Sequence, residues 1–230
     1  MLKRQLMTII FLCIELTLWI LILFVNPFLP SGTLHYLSII ICAIYVLLNY
    51  KGTKDMKIVL CAFSATLVAD YFLTLQQTHQ ILGTFFFLIA QLFYLIRLKN
   101  IYPKSYVFYV PYVILMLLIS ASMWVETKTL DLLLIISIAY ISILVINMVY
   151  ALKIHKQLLI FGIGLLFEIG ADIFVALGAS APYISLNPNR LLYLLSEIPF
   201  NMVWLFYIPA QVLFALSIKY HHIKQGESHV

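Results

Sequence analysis

The sequence predicts an all-α integral membrane protein of eight transmembrane helices. Three observations predict it. The 230 residues are 64% hydrophobic and only 10% charged, where soluble domains carry about a quarter charged residues, and mean hydropathy is +1.05. Apolar runs of spanning length, roughly 20 residues, recur from end to end. Lysine and arginine then alternate between the connections as a bilayer requires. With the N-terminus cytoplasmic, that side receives Lys3, Arg4, Lys51, Lys54, Lys57, Arg97, Lys99, Lys104, Lys153, Lys156, Lys219 and Lys224, and the other side only Lys128 and Arg190. Twelve cations against two place both termini in the cytoplasm.

The segments, in order, are 6–25, 33–49, 58–76, 81–98, 106–124, 131–151, 157–178 and 191–218. The first follows Met1-Leu2-Lys3-Arg4. It is longer than the apolar core of a signal peptide and lacks a small-residue cleavage site, so it reads as an uncleaved first helix. Breaks fall at Asn26-Pro27 to Ser31-Gly32, Lys51-Gly52, Gln76 to Gln80, Pro103, Glu126 to Asp131, His155-Lys156 and Pro182 to Asn189. Pro199 and Pro209 predict that the last segment is kinked or preceded by a short interfacial helix. Cys13, Cys42 and Cys61 lie inside apolar segments with no paired spacing and read as buried thiols. The net charge of +5 is accounted for by topology, and no nucleic-acid partner is expected; the partners expected are membrane lipids.

The third and seventh segments share a signature. Ala69-Asp70-Tyr71-Phe72-Leu73-Thr74-Leu75 and Ala171-Asp172-Ile173-Phe174-Val175-Ala176-Leu177 carry Ala, Asp, Phe and Leu in the same places. Ala90-Gln91 and Phe93 in the fourth segment, likewise, resemble Ala210-Gln211 and Leu213 in the eighth. The chain therefore reads as one transmembrane domain, 1–230, built of halves 1–104 and 105–224. An even number of helices per half gives both halves the same orientation about an axis along the membrane normal. At 1.5 Å per residue Asp70 lies about 18 Å and Asp172 about 22 Å from the cytoplasmic ends of their helices. Both fall past the midplane of a ~30 Å core, and the axis predicts one central cavity holding the pair.

Intramembrane carboxylates are functional candidates by default. Glu168 lies one helical turn from Asp172 on the same face and is either a second cavity acid or a glutamate paired across the bundle. Gln91 and Gln211 either orient water or a carboxylate, or hydrogen-bond between helices. Tyr94 and Tyr207 lie beside them. Glu15 and Asn147 are further intramembrane polar residues, Asn147 reading as structural. His35 and His79 fall near helix ends without the spacing of a metal site, and no metal or cofactor is expected. Gly162, Gly164 and Gly170 predict close packing of the seventh helix. No G-x-S-x-G elbow, P-loop or H-E-x-x-H motif is present. A carboxyl pair in a lipid-accessible cavity remains, which serves either acid–base catalysis or proton-coupled transport or lipid binding.

Helix three ending in Asp70-Tyr71-Phe72-Leu73, then Gly83, then Gln91-Leu92-Phe93-Tyr94, resembles the YhhN family, a lysoplasmalogenase-like family of eight-helix membrane proteins. Gly164-Leu165-Leu166-Phe167, Asp172 and Tyr207-Ile208-Pro209-Ala210-Gln211 resemble its later motifs. Ala69 stands where the family usually has glycine, Ala171 where serine is common, and Gln91 where histidine is frequent. The resemblance implies hydrolysis of the vinyl ether of a lysoplasmalogen, a lysophospholipid, to a fatty aldehyde and a glycerophospho-base. Such a bond yields to an acid that protonates carbon and a second carboxylate that stabilises the cation and orients water, as carboxyl pairs do in glycoside hydrolysis. An apolar site keeps a carboxyl protonated for the first role. The sequence leaves open which aspartate is the acid; the working assignment is Asp70 as acid and Asp172 as base or stabiliser, with Gln91 and Gln211 in support and the headgroup near Arg190. Short loops and a compact bundle suit a bacterial inner membrane.

Overall fold

The computed structural model describes residues 2–24, 32–101, 106–127, 131–154, 158–179 and 201–218. Among the described residues there are eight helices and no strand: α1 (Leu2–Phe24), α2 (Thr33–Leu48), α3 (Lys54–Asp70, continued by a π-helical turn, Tyr71–Gln76), α4 (Gln80–Ile101), α5 (Tyr106–Thr127), α6 (Leu132–Ile154), α7 (Leu159–Ala179) and α8 (Met202–Ser217). Five segments are long and apolar enough to cross a membrane: Gln5–Phe24, Lys54–Gln76, Gln80–Ile101, Leu132–Lys153 and Leu159–Ala179. The apolar stretches Thr33–Leu48, Val110–Trp124 and Met202–Ser217 are shorter; 16 residues reach only about 24 Å. Residues 191–200 of the predicted eighth segment, and the connection carrying Arg190, lie outside the described residues.

The third helix departs from its expected form at both ends. It begins at Lys54 because Thr53 caps it, its hydroxyl accepting from the Met56 amide at 3.4 Å, a bond that satisfies one of the free amides of a first turn. Its last six residues wind as a π-helix starting immediately after Asp70. Gln77, in the left-handed region at φ 54°, ends the turn. Gly32, at φ 100°, starts α2 directly against it: a side chain at 32 would collide with the Thr74 carbonyl. A wide turn of this kind is common where a helix must present a functional group.

Six helices close a ring in the order α2, α3, α4, α6, α7, α8 and back to α2. α1 lies in the groove between α2 and α8, and α5 packs on the outside of α6. The outer surface is apolar, with Ile9, Leu16, Leu117, Leu118, Leu166 and Val175 about half exposed. Glu15, Asp70, Gln91, Arg97, Asn147, Glu168 and Gln211 are buried within. This inside-out distribution is stable in lipid, where polar side chains must find partners inside the protein.

Across the ring, α4 and α8 present matching positions 120 residues apart. The rings of Phe87 and Tyr207 lie 6.1 Å apart, edge to face, and those of Tyr94 and Phe214 5.0 Å apart. Arg97 Nη1 donates to Ser217 Oγ at 2.7 Å. Gln91 and Gln211, the pair singled out in the sequence, occupy the layer between the first two of these contacts.

The glycines of α7 do allow close approach. A Cβ at Gly162 would lie 2.7 Å from Leu152 of α6, one at Gly164 2.7 Å from the Phe214 ring and 3.3 Å from the Ala210 carbonyl of α8, and one at Gly170 3.0 Å from Phe206. Gly178 faces open space. Gly164→Val therefore costs about 1–3 kcal/mol by overpacking and lowers the thermal unfolding midpoint in detergent, whereas Gly178→Ala leaves it in place. Equal midpoints for both would disprove the tight α7–α8 seam.

Candidate functional site

Each aspartate of the repeated signature is held by a tyrosine from another helix. The hydroxyl of Tyr207 (α8) donates to Asp70 Oδ2 at 2.7 Å, and that of Tyr140 (α6) to Asp172 Oδ2 at 2.7 Å. Thr74, in the π turn, reaches Asp70 Oδ1 at 3.4 Å, the outer limit of a hydrogen bond. The Phe87 ring stands between the tyrosines, 6.0 Å from Tyr140 and 6.1 Å from Tyr207. Asp70 is only 3% exposed, while Asp172 is partly open and its Oδ1 has no hydrogen bond among the described residues.

Beneath this layer lies an amide network. Gln91 Nε2 donates to Glu168 Oε2 at 2.9 Å, and Asn147 Nδ2 donates to both the Oε1 and the backbone carbonyl of Gln91, at 3.1 and 3.0 Å. Glu168 is within electrostatic reach of both Asp172 and Asp70, which makes it the link between the two signatures. Gln211 shares the layer, but among the described residues neither its Nε2 nor its Oε1 has a partner.

Below the amides, Tyr94, Phe161 and Phe214 form an aromatic plug with centroids 5.0–5.5 Å apart. Arg97 closes the far end. It is fully buried and bidentate on Asp55, Nε to Oδ1 at 2.8 Å and Nη2 to Oδ2 at 3.0 Å, with Ser217 as a further acceptor and its guanidinium 4.8 Å from the Phe161 ring centroid. Counted in the sequence as a loop cation, Arg97 is instead part of the bundle interior. Desolvated arginine in planar contact with carboxylate and ring is the arrangement its geometry favours.

Of the residues expected to form a site, Asp70, Asp172, Glu168, Gln91 and Tyr207 come together in the upper two layers. Tyr94 belongs to the plug, with its hydroxyl unpartnered, and Gln211 is unpaired. Arg190 lies outside the described residues. Tyr140 was missed: nothing distinguishes it among 15 tyrosines. Glu15 serves the α1–α2 contact, accepting from Ser38 Oγ at 2.5 Å and Cys42 Sγ at 3.5 Å. Cys42 is buried as expected, but Cys13 and Cys61 are exposed on the apolar surface. Among the described residues no three His, Cys, Asp or Glu side chains are grouped to hold a metal ion.

The YhhN family model matches residues 32–218, from the start of α2 to the end of α8. The chain belongs to the YhhN family. No curated protein and no solved structure matches it significantly.

The two glutamines separate in a stability test. Gln91→Leu strips Glu168 of its amide donor, leaves Asn147 only the backbone carbonyl, and costs about 1–3 kcal/mol for the buried carboxyl left unsatisfied. Gln211→Leu removes an amide with no partner among the described residues, and leaves the unfolding midpoint unchanged or higher. Equal destabilisation by both would refute the asymmetry.

Proposed function

We propose that this protein is a lysoplasmalogenase-like hydrolase, cleaving the vinyl ether of a lysoplasmalogen by carboxyl acid–base catalysis. The observation that carries the reading is the pair of tyrosine-held aspartates flanking Phe87, with Glu168 in the layer beneath within electrostatic reach of both, in an apolar bundle. Family membership is consistent with it. We also read the chain as eight spans with cytoplasmic termini, in a bacterial inner membrane. The 120-residue spacing of the facing α4 and α8 positions supports a parallel duplication of four helices. In that orientation the Arg97–Asp55 end is cytoplasmic and the aspartates lie in the outer half.

The chemistry follows from the environments. Burial disfavours charge, so Asp70, sealed and with no cation beside it among the described residues, is the carboxyl suited to carry a proton. Tyr207 fixes Oδ2, and the long Thr74 contact leaves Oδ1 the freer oxygen for delivering that proton to the alkenyl carbon remote from the ether oxygen. The C=C electron pair forms the new C–H bond, and the ether oxygen shares its lone pair to give an oxocarbenium ion. Asp172, partly open and with Oδ1 unengaged, takes a proton from the water that adds to that cation. The hemiacetal then loses its hydroxyl proton as the C–O bond to glycerol breaks, that oxygen is protonated, and a fatty aldehyde departs. Glu168, beside Asp172, returns protons between the two aspartates.

Proton-coupled transport is the competing use of such a pair. It requires both ends of the bundle to open in turn. The end carrying Arg97 is closed by a bidentate ion pair, its arginine fully buried and its aspartate partly so, and by an aromatic plug. This favours a site reached from one side, through the ring or from its Asp70 end.

Purified protein in detergent is expected to release fatty aldehyde from a lysoplasmalogen but not from the saturated alkyl-ether lysolipid. In D2O the aldehyde, trapped at once as the alcohol, carries one deuterium at C2. Asp70→Asn and Asp172→Asn each lower kcat by about 10²–10⁴-fold, and Tyr207→Phe and Tyr140→Phe have smaller effects. Absence of aldehyde from folded native protein would overturn the assignment.

A further inference from the structure

His35 of α2 is 3% exposed and, like Gln211, has no hydrogen-bond partner among the described residues on either polar atom, Nδ1 or Nε2. Buried polar groups in folded proteins are nearly always hydrogen-bonded, and an exception calls for an explanation such as a ligand. The imidazole is held flat, its ring stacked on Trp204 at 3.8 Å between centroids. Trp204 is fixed in turn by α1, with Trp19 Nε1 donating to its carbonyl at 3.3 Å, and stands edge-on to Tyr207 at 5.5 Å. Tyr207 is the residue that holds Asp70.

The level is that of the aspartate. Gly32, one turn before His35, abuts the Thr74 carbonyl, and Tyr36, its neighbour, is within electrostatic reach of Asp70. An imidazole therefore sits two rings from the proposed acid, with one donor and one acceptor unused.

Resting on the reading of this site as a lysoplasmalogenase, we propose that His35 is a specificity residue that hydrogen-bonds the free 2-hydroxyl of the lysolipid. A hydroxyl donates one hydrogen bond and accepts others, and neutral imidazole is its complement. A phosphate, which accepts only, calls for a cation, and the arginine described in the bundle is committed to Asp55 at the far end. The 2-hydroxyl is borne by the carbon next to the ether-bearing carbon, so a lipid presenting its vinyl ether to Asp70 brings this hydroxyl to the same end of the ring. A lipid acylated at that oxygen has no proton to give His35 and leaves one buried nitrogen unpaired, which is how a site built for a hydroxyl rejects its blocked analogue.

His35→Phe keeps the stack on Trp204 and removes both nitrogens. His35→Asn keeps a donor and an acceptor. The substrates are a lysoplasmalogen and its 2-deoxy counterpart. Native protein is expected to show a KM about tenfold or more higher for the deoxy substrate. His35→Phe raises KM for the hydroxyl substrate by a similar factor with kcat little changed, the signature of lost ground-state binding, and no longer distinguishes the two. His35→Asn retains part of the discrimination. Discrimination by folded His35→Phe equal to native would overturn the proposal, because the histidine would then be filling space.

Binding is measured separately by Trp fluorescence with the non-hydrolysable 1-alkyl lysophospholipid and its 2-deoxy form. Native protein that releases no aldehyde but prefers the hydroxyl form, with the preference lost in His35→Phe, would sink the enzymatic reading and keep the His35 assignment. Aldehyde release without any hydroxyl preference would do the reverse. Should His35→Phe fail to fold, equal affinity of native protein for the two lipids is sufficient to reject the proposal.

Discussion

Three carboxyl groups, on Asp70, Glu168 and Asp172, are held inside a bundle whose exterior is hydrocarbon-like, and the arrangement of the ring follows from partnering them. A carboxyl in such an interior must be hydrogen-bonded to be tolerated. None of the three is satisfied by its own helix alone. Asp70 of α3 needs Tyr207 of α8, Asp172 of α7 needs Tyr140 of α6, and Glu168 of α7 needs Gln91 of α4. These bonds bring α8 to α3 and join α7 to α6 and α4. Asn147 of α6 adds a second link to α4 through both oxygens of Gln91. Apolar packing alone has little preference between helices in lipid; the polar layer supplies the preference and fixes the register.

The layers along the ring differ in what they do. At one end are the aspartates, their tyrosines and His35, with polar atoms left free. At the other, Tyr94, Phe161 and Phe214 fill the interior and Arg97 meets Asp55 and Ser217 with every strong bond made. A closed base beneath a polar layer suits the proposed site, reached from one side, better than it suits a rocking transporter.

Much of this was legible in the sequence because charge is conspicuous in an apolar chain. Asp70, Asp172, Glu168 and the glutamines stand out against 64% hydrophobic residues, and the helix boundaries follow from runs and breaks. What was not legible depends on which side chains meet. Tyr140 and Tyr207 are chemically alike to the other tyrosines until the fold brings them to a carboxyl. Arg97 and Asp55 are 42 residues apart in sequence, and a cation near a helix end is read as topology unless its anion is known. Gln91 and Gln211 look equivalent, yet one is the hub of a network and the other is unpartnered. The π turn after Asp70 has no local signature, and the space beside it depends on another helix, where a side chain at Gly32 would collide with the Thr74 carbonyl.

The inequality of the two halves is itself informative. Under the proposed duplication Phe87 is the counterpart of Tyr207, and the two rings face each other. Strict symmetry would place a tyrosine at 87 to hold Asp172 as Tyr207 holds Asp70. The chain instead has a ring with no hydroxyl there, and Asp172 is held from α6 by Tyr140. Glu168 beside Asp172 has Thr66 at the equivalent place in α3, 102 residues earlier. Two identical carboxyls in identical surroundings share protons with neither member fixed as the acid. With the tyrosines on different helices and a glutamate on one side only, Asp70 is sealed and Asp172 partly open. Under the proposed duplication and the proposed reaction, these departures would give the two members different work.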